Sequence, residues 1–458
     1  MKTRDEHRAK LREIADYAFD HGRTAMEQAG IPMEFAAWSR ETKLDFLIKC
    51  QDGFKLAQKL LIEEILYYQE LQREVETQLK SYKTQRLKKE VKEATGQKAL
   101  IEHRLLTLSH IADSIAWQLL RGQLHLARRL VLPSATTKFL VNSNIEHAIA
   151  AADKINENPL DFALISDITG YVGIGDLLIK HLTSVGIMEL KEGNINDQLT
   201  EFFAELEREN KPLEEVDLSS RFDSKTVKQV ERMQRQKTRM SQAVQVMNTD
   251  IGIDPGTQKP IVVSTPTTLT ERYFDELIQL QKQLKTQSWA YLLVEDCLYI
   301  GAYRDEAIAK GPFLIELLVK EKTKEYILID WTSIIEQVSQ PLFAKPLEPD
   351  FIIDIMTGKV KVIMALDING LIQRFNDVGL QTRWMTTKET AKVKANDAYT
   401  PKSLVVFHNQ GILMTEPDSE KSVMGWGVIS RILYDNIKPT NVALSFLTAQ
   451  KPSGASLK

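Results

Sequence analysis

The chain has 458 residues, of which 43% are hydrophobic and 26% are charged, and its formal net charge is −3 at pH 7. This length allows two or three domains, each with its own core, and the composition is ordinary for a soluble protein. The small net charge excludes a strong global field, so any affinity for nucleic acid has to come from local basic patches.

The cysteines and the N-terminus bear on the compartment. Cys50 and Cys297 lie far apart in sequence, which argues against a disulfide framework and fits a reducing cytosol. The first residues are too charged for a secretory signal, and no stretch approaches the ~20 apolar residues of a membrane span. We therefore expect a cytoplasmic protein that does not contact a membrane.

Residues 1–97 are predicted to be helical, with a break at residues 30–32 and a stop at Gly96. Within this region, apolar residues recur at alternating steps of three and four, which is the spacing of a coiled-coil seam. They are Leu61, Ile65, Tyr68, Leu71, Val75, Leu79 and Tyr82. Two interpretations remain open: an antiparallel helical hairpin that turns at Gly96, or a rod that forms a homo-oligomer.

The end of this helical region is basic. Between residues 80 and 98, seven basic side chains face only Glu90 and Glu93. Together with Arg121, Arg128 and Arg129 they could form a positive surface beside an active site, although such charges also occur on solvated helix faces. Residues 98–130 then predict a helix or helix pair, and residues 144–155 a shorter helix.

The most informative segment is residues 175–193, because it places two acids and a lysine on a predicted β-hairpin. Asp176 opens an apolar strand, and a turn centred on Thr183 and Ser184 would set it opposite Lys191, with Glu189 one diagonal step away. Side chains alternate along a strand, so the three polar groups share one face. A solvated face with one ion pair, worth about 0.5 kcal/mol, is the alternative interpretation.

Such a cluster fits a divalent cation. Asp176 and Glu189 would hold Mg²⁺, or Mn²⁺ in its place, with the Leu190 carbonyl as a further ligand. The cation would polarise a phosphate and activate a water molecule, while Lys191 would orient that water and offset developing charge. Asp176, Glu189 and Lys191 are therefore the predicted catalytic residues.

These residues resemble the motif of the PD-(D/E)xK nuclease superfamily. The matching elements are Gly175-Asp176, an apolar strand, and Glu189-Leu190-Lys191, with Gly175 where the family name has proline. The resemblance implies a restriction-endonuclease-like α/β core, metal-dependent hydrolysis of phosphodiesters, and helices before and after the hairpin. It also suggests a place in anti-phage defence.

Family members often carry a further acid on the first helix. Glu102, Asp113 and Glu146 are the candidates here, and the sequence does not choose among them. The third strand that the family has after the hairpin is not evident, because residues 196–218 predict an acidic helix and loop instead. This insert could act as a lid or a partner surface, or simply be solvated.

Residues 222–247 predict the closing helix, with Ser224 as its N-cap. From Lys225 to Arg239 six residues are basic and only Glu231 is acidic. A role in contacting phosphates competes with an ordinary solvated face. The predicted nucleic-acid-binding residues are Lys228, Arg232, Arg235 and Arg239.

Beyond residue 266 the pattern is typical of an α+β domain. We expect hairpins that turn at Glu295-Asp296 and at Thr357-Gly358, a strand at residues 325–331, and helices at 270–284 and 424–437. No phosphate-binding loop, HExxH motif or paired CxxC occurs. The sequence does not assign a function to this domain, for which target recognition or control of the nuclease is a working hypothesis.

The predicted architecture is thus an α+β multidomain protein with an N-terminal helical coiled-coil region (1–97), a nuclease core (98–265) and an α+β accessory domain (266–458). The predicted function is Mg²⁺-dependent hydrolysis of nucleic acid, with DNA preferred over RNA although the motif itself distinguishes neither. The protein could also bind a regulatory partner. The alternative is a non-catalytic coiled-coil assembly protein whose degenerate core only binds nucleic acid or a partner.

Overall fold

The computed structural model describes residues 1–131, 140, 145–182, 184–190, 194–209, 211–249, 251–256, 258–262, 270–395, 403–415 and 421–448. The chain is a mixed α+β protein with long helices near its N-terminus and several small antiparallel sheets. It divides into two compact units. The N-terminal unit is Ile14–Val263, and the C-terminal unit combines Met1–Glu13 with Ser264–Lys458.

Helices dominate the N-terminal unit. The first helix, α1 (Arg4–Ala15), runs across the division between the units. The further helices of this unit are α2 (His21–Gln28), α3 (Arg40–Thr84), α4 (Lys88–Leu119), α5 (Leu124–Arg129), α6 (Ile145–Asn156), α7 (Asn194–Arg208), α8 (Leu218–Arg221) and α9 (Ser224–Thr249). Its strands are β1 (Phe162–Ile165), β2 (Leu177–Lys180), β3 (Val185–Met188), β4 (Ile251–Ile253) and β5 (Pro260–Val262).

The predicted coiled-coil seam lies inside a helical hairpin formed by α3 and α4. Its residues Leu61, Ile65, Tyr68 and Val75 are buried. The two helices are linked by a 2.7 Å ion pair between Lys98 Nζ and Glu76 Oε1 and by a hydrogen bond that Arg104 donates to the Tyr68 hydroxyl, 3.1 Å long. The hairpin interpretation therefore accounts for the apolar spacing within a single chain.

The predicted helix stop at Gly96 is wrong. Gly96 lies inside α4, and the chain turns earlier, where Arg86 adopts a positive φ of 60°. A glycine inside a helix costs only about 1 kcal/mol, and burial of neighbours such as Ala94 and Ile101 offsets it. Residues 97 and 98, between which we predicted a domain boundary, both belong to α4. The predicted boundary at 265/266 lies two residues from the division between the units.

Strands β1, β2 and β3 form an antiparallel sheet in that order. Leu178 pairs with Ile187, and the His181 N–H donates to the Ser184 carbonyl, 2.9 Å away. The predicted register was wrong by two residues, because Leu177 pairs with Met188, whereas the prediction sets it opposite position 190. A shift of two leaves every side chain on its own face, so the apolar pattern could not detect it.

The acidic insert after the hairpin is helical, as predicted. It contains α7 and α8, and the apolar side of α7 packs against α9 in a cluster of Leu199, Phe202, Leu206, Val230 and Met233. The predicted basic helix is confirmed as α9, but its N-cap is Asp223, whose carboxylate accepts from the Thr226 N–H at 2.7 Å. The small hairpin of β4 and β5 follows α9.

Among the residues that the structure describes, the C-terminal unit contains two sheets. The first has the strand order β6 (Trp289–Val294), β7 (Leu298–Arg304), β9 (Val360–Asp367), β8 (Tyr326–Asp330), and all its pairings are antiparallel. In the second, β12 (Gln410–Thr415) pairs with β10 (Gln381–Trp384), β11 (Val406–Phe407) and β13 (Lys421–Val423). The helices are α10 (Phe274–Leu284), α11 (Gly311–Lys320), α12 (Pro349–Met356), α13 (Ile368–Asp377), α14 (Thr387–Lys394), α15 (Trp426–Leu433) and α16 (Pro439–Leu447).

The predicted hairpin turn at Glu295 and Asp296 is confirmed, and both residues have positive φ, 47° and 56°. The predicted hairpin at residues 351–366 is wrong, because its first half is the buried helix α12 and Gly358, with φ 71°, joins that helix to β9. A short apolar run does not distinguish a buried helix from a buried strand. Within the described part of the chain, no helix combines the length and apolarity that crossing a membrane requires.

Candidate active site

Asp176 and Glu189 lie at the same end of the β1–β2–β3 sheet, each one residue beyond its strand. The Asp176 N–H donates to the Met188 carbonyl at 2.8 Å, and the Asp176 carbonyl accepts from the Ser166 N–H at 2.8 Å. The bond to Ser166 continues the pairing with β1, whereas the bond to the Met188 carbonyl is one residue out of the β2–β3 register. Residue 176 therefore lies next to residues 188–190 of the opposite strand at this end of the sheet.

Gly175 sets the approach of the chain to Asp176. Its φ is +76°, and a Cβ at this position would lie 2.3 Å from Ile187 Cγ2 and 3.0 Å from the Met188 carbonyl oxygen. Proline has a φ near −65° and is incompatible with this backbone. Glycine at position 175, where the motif that the sequence resembles has proline, is therefore required by the local conformation.

Asp176 is held in place by the strand opposite. Its Oδ2 accepts a hydrogen bond from the Leu190 N–H, 2.6 Å long. The bond fixes the carboxylate beside residues 189 and 190 and resembles the charge-assisted bonds by which main-chain amides orient carboxylates. Leu190, predicted to ligate through its carbonyl, thus contacts Asp176 through its N–H group.

Glu189 is oriented by α9. Its Oε1 accepts a 2.7 Å hydrogen bond from Gln236 Nε2. Sequence reasoning did not single out Gln236, although it lies four residues after Arg232 and three before Arg239 and so falls on the same helical face. This spacing is the feature of the sequence from which Gln236 could have been identified.

Glu189 also borders a cavity of about 190 Å³ whose wall is basic. The described residues that line it are Gly173, Ile174, Gly175, Glu189, Arg232, Arg235, Gln236, Arg239 and Met240. Three of the four predicted nucleic-acid-binding residues therefore meet one predicted catalytic carboxylate. The fourth, Lys228, is exposed on α9 and does not belong to the described lining.

Lys191 lies outside the described residues. Of the three candidates for an additional acid, Glu102 forms an ion pair with Lys98 at 3.7 Å, and Glu146 lies in the first turn of α6. Asp113 is buried, and its Oδ1 accepts from the Gly170 N–H at 2.8 Å and the Tyr171 N–H at 3.3 Å. Burial raises the Asp113 pKa to about 7, although these two bonds lower it.

The basic surface predicted around residues 80–129 is partly used inside the fold. Lys98 pairs with Glu76 and Glu102, and Arg129 forms an ion pair with the buried carboxylate of Asp254. These ion pairs hold Lys98 and Arg129 against neighbouring acids. On α9, Arg235 Nη1 also lies 3.9 Å from Glu231 Oε2, in a pair whose side chains are both exposed. What distinguishes the arginines of α9 is that they line the cavity beside Glu189.

Asp176 and Glu189 are the two carboxylates at this end of the sheet that could hold a hard cation. Mg²⁺ commonly takes one or two carboxylates and keeps several waters, and Asp176 and Glu189 supply two at adjacent positions. Each carboxylate has about four acceptor positions, so the bonds from Leu190 and Gln236 are compatible with a metal ligand role. Among the residues described, no group of three or more His, Cys, Asp or Glu side chains is arranged to hold a metal ion.

Comparison of the chain with protein-family models, with curated proteins and with solved structures gave no match. The resemblance to the PD-(D/E)xK superfamily therefore depends on the short motif and on the placement of its residues at the end of the hairpin.

Proposed function

We propose that this protein is a metal-dependent nuclease that hydrolyses phosphodiester bonds, with DNA as the expected substrate. One observation supports the proposal more than any other: Glu189, a predicted catalytic carboxylate beside Asp176, lies in the wall of a cavity formed by Arg232, Arg235 and Arg239. The proposal treats β1–β3 and α9 as the counterpart of a restriction-endonuclease-like core.

The proposed metal is Mg²⁺, held by Asp176 and Glu189. When bound, it would supply Lewis-acid polarisation of the phosphate and a lowered pKa for the attacking water. Gln236 and the Leu190 N–H keep the two carboxylates in the orientation that the site needs.

The arginines bind the substrate and favour its transition state. A guanidinium can donate two parallel hydrogen bonds to phosphate oxygens. Arg232, Arg235 and Arg239 lie on one face of α9 and line the cavity beside Glu189, so they offset the negative charge that builds on the phosphoryl oxygens during attack. In the proposal Lys191 orients the attacking water.

The reaction is a hydrolysis. The water oxygen forms a bond to phosphorus, the bond from phosphorus to one sugar oxygen breaks, and the proton lost by water is balanced by the proton gained by the leaving oxygen. One product strand ends in a phosphate and the other in a hydroxyl group.

A non-catalytic role in binding nucleic acid is the second candidate. It is favoured by the three arginines that line the cavity beside Glu189, because arginines alone suffice to hold a phosphate. The two candidates differ in their response to metal.

Incubation of the full-length protein with supercoiled plasmid DNA and with a folded RNA tests the proposal. We expect cleavage of DNA in Mg²⁺ and its complete loss in EDTA. Cleavage of RNA alone would correct the substrate. Binding of either polymer without cleavage in Mg²⁺ or Mn²⁺ would reject the nuclease in favour of the binding protein.

A further inference from the structure

A second and larger cavity of about 480 Å³ adjoins the basic one. It lies between β3, α7 and α9, entirely within the N-terminal unit. Its described lining is Ile187, Met188, Glu189, Phe203, Ala204, Met233, Gln236, Lys237, Met240 and Ser241. The volume falls within the range of about 300–1,000 Å³ that is usual for small-molecule sites.

The larger cavity is lined mainly by apolar, deformable side chains. Three methionines and Phe203 contribute to it, and methionine thioethers make favourable contacts with aromatic rings. Phe203 is half-buried, and Lys237 Nζ lies 5.8 Å from the centre of its ring. A planar aromatic ligand is the chemistry that these side chains suit best.

The two cavities share part of their walls. Glu189, Gln236 and Met240 line both, so an apolar chamber and an arginine-lined chamber meet at the hydrogen-bonded pair of Glu189 and Gln236. A ligand that fits both must carry a flat, largely apolar body next to an anionic group. A nucleotide has this combination, with its base joined through one sugar to a phosphate.

We infer that the larger cavity binds one unstacked nucleobase while the arginines of α9 bind the adjacent phosphate. A base inside a duplex is stacked and paired on both sides, so it reaches such a pocket only from a single strand or after it has been flipped out. The inference rests on the proposed function in that the ligand is a nucleic acid. It specifies a substrate with an accessible base beside the phosphate.

The test compares two polymers of equal charge. Fluorescence anisotropy measures the affinity of the full-length protein for a labelled single strand of 12 thymidylates and for a 12-mer of abasic sugar-phosphate units, both in Ca²⁺. Because the phosphate count is the same, electrostatic binding contributes equally to both. Stacking of a base on an aromatic side chain is strong enough to favour the thymidylate strand by about tenfold.

Ser241→Trp is the informative variant, because Ser241 is exposed and lines the larger cavity, where an indole would occupy the space of the base. We expect Ser241→Trp to reduce the tenfold preference to about one and to leave the affinity for the abasic strand unchanged. Thr238→Trp is the matched control, since Thr238 is an exposed residue of α9 outside the described lining. It should keep the preference.

Equal affinity of the wild type for the two strands, an undiminished preference in Ser241→Trp, or binding of neither strand would overturn the inference. Cleavage in Mg²⁺, measured separately, distinguishes the two proposals. A preference for bases without cleavage rejects the nuclease and keeps the base pocket. Cleavage without a preference for bases keeps the nuclease and rejects the base pocket.

Discussion

Asp113 is a carboxylic acid buried in α4, and its ionisation opposes folding. The side chain is only 7% exposed, and burial raises its pKa from 3.8 to about 7. Between these two values the folded state keeps a proton that the unfolded state has lost. Stability therefore decreases as the pH rises from about 4 to about 7 and stays low above that.

Asp113→Asn should remove this dependence. The amide oxygen can still accept from the Gly170 N–H, while the neutral side chain does not ionise. We expect the free energy of unfolding of the variant, relative to wild type, to increase by at most about 4 kcal/mol between pH 4 and pH 8. Denaturant unfolding at several pH values measures it.

Asp153→Asn, at an exposed position of α6, is the control and should show no such trend. A constant difference between Asp113→Asn and wild type across this pH range would contradict the assigned pKa.

Gly175 is the residue whose backbone conformation the site depends on most. Its positive φ and the 2.3 Å approach of Ile187 Cγ2 leave no room for a side chain. Gly175→Ala should destabilise the end of the hairpin by about 2 kcal/mol or more, because a left-handed conformation costs a residue with a Cβ about 1–2 kcal/mol before any clash. Native-state hydrogen exchange of the amides at 176–190 measures this loss.

Gly186→Ala, also in the hairpin, provides the comparison. A Cβ there meets nothing within 4 Å, and its φ is not positive. Its exchange rates should stay close to those of the wild type. If the amides were equally protected from exchange in both variants, the positive φ of Gly175 would not be required for the stability of the hairpin.

At the scale of elements, α9 was the part of the site that the sequence predicted best. Its residues 232, 235 and 239 repeat at three and four, so their common face follows from helix geometry alone. The sequence did not predict which residues that face contacts, because the contact of α9 with residue 189 joins segments 47 residues apart.

The four residues predicted to contact phosphate differ in their position relative to the basic cavity. Arg239 lines the basic cavity and Lys228 does not belong to its described lining. Arg239→Gln should therefore lower the affinity for duplex DNA and reduce the slope of log K against log salt by about 0.9. Lys228→Gln should leave both unchanged. Titrations at several salt concentrations measure the slopes, and equal effects of the two variants would contradict the placement of the cavity.

The hairpin shows where sequence reasoning fails. The strands, the apolar face and the proximity of Asp176 to Glu189 were predicted from alternation, whereas the predicted pairing of Asp176 with Lys191 is wrong. A register that pairs residue 177 with 188 and one that pairs it with 190 bury the same side chains. Only main-chain bonds such as that from Asp176 to Met188 distinguish the two.

At the scale of the whole molecule, composition and periodicity predicted a mixed α+β chain with helices first and small sheets later. They did not predict that residues 1–13 belong with the C-terminal unit. Ion pairs hold this segment there: Arg8 lies 2.7 Å from Asp354, and Lys359 lies 2.6 Å from Asp5. Contacts between segments so far apart in the sequence leave no periodic signal in it.

In the proposed nuclease, Asp176 and Glu189 act together as one catalytic centre. Single-turnover cleavage of a labelled DNA in Mg²⁺ tests it most directly, with Asp176→Asn and Glu189→Gln as near-isosteric variants that keep an acceptor for Leu190 and Gln236. Glu201→Gln, at an exposed position of α7, is the control. We expect each site variant to lose at least about a hundredfold in rate, the scale on which catalytic groups contribute, and the control to match wild type. Cleavage by the two site variants at the wild-type rate would contradict the account.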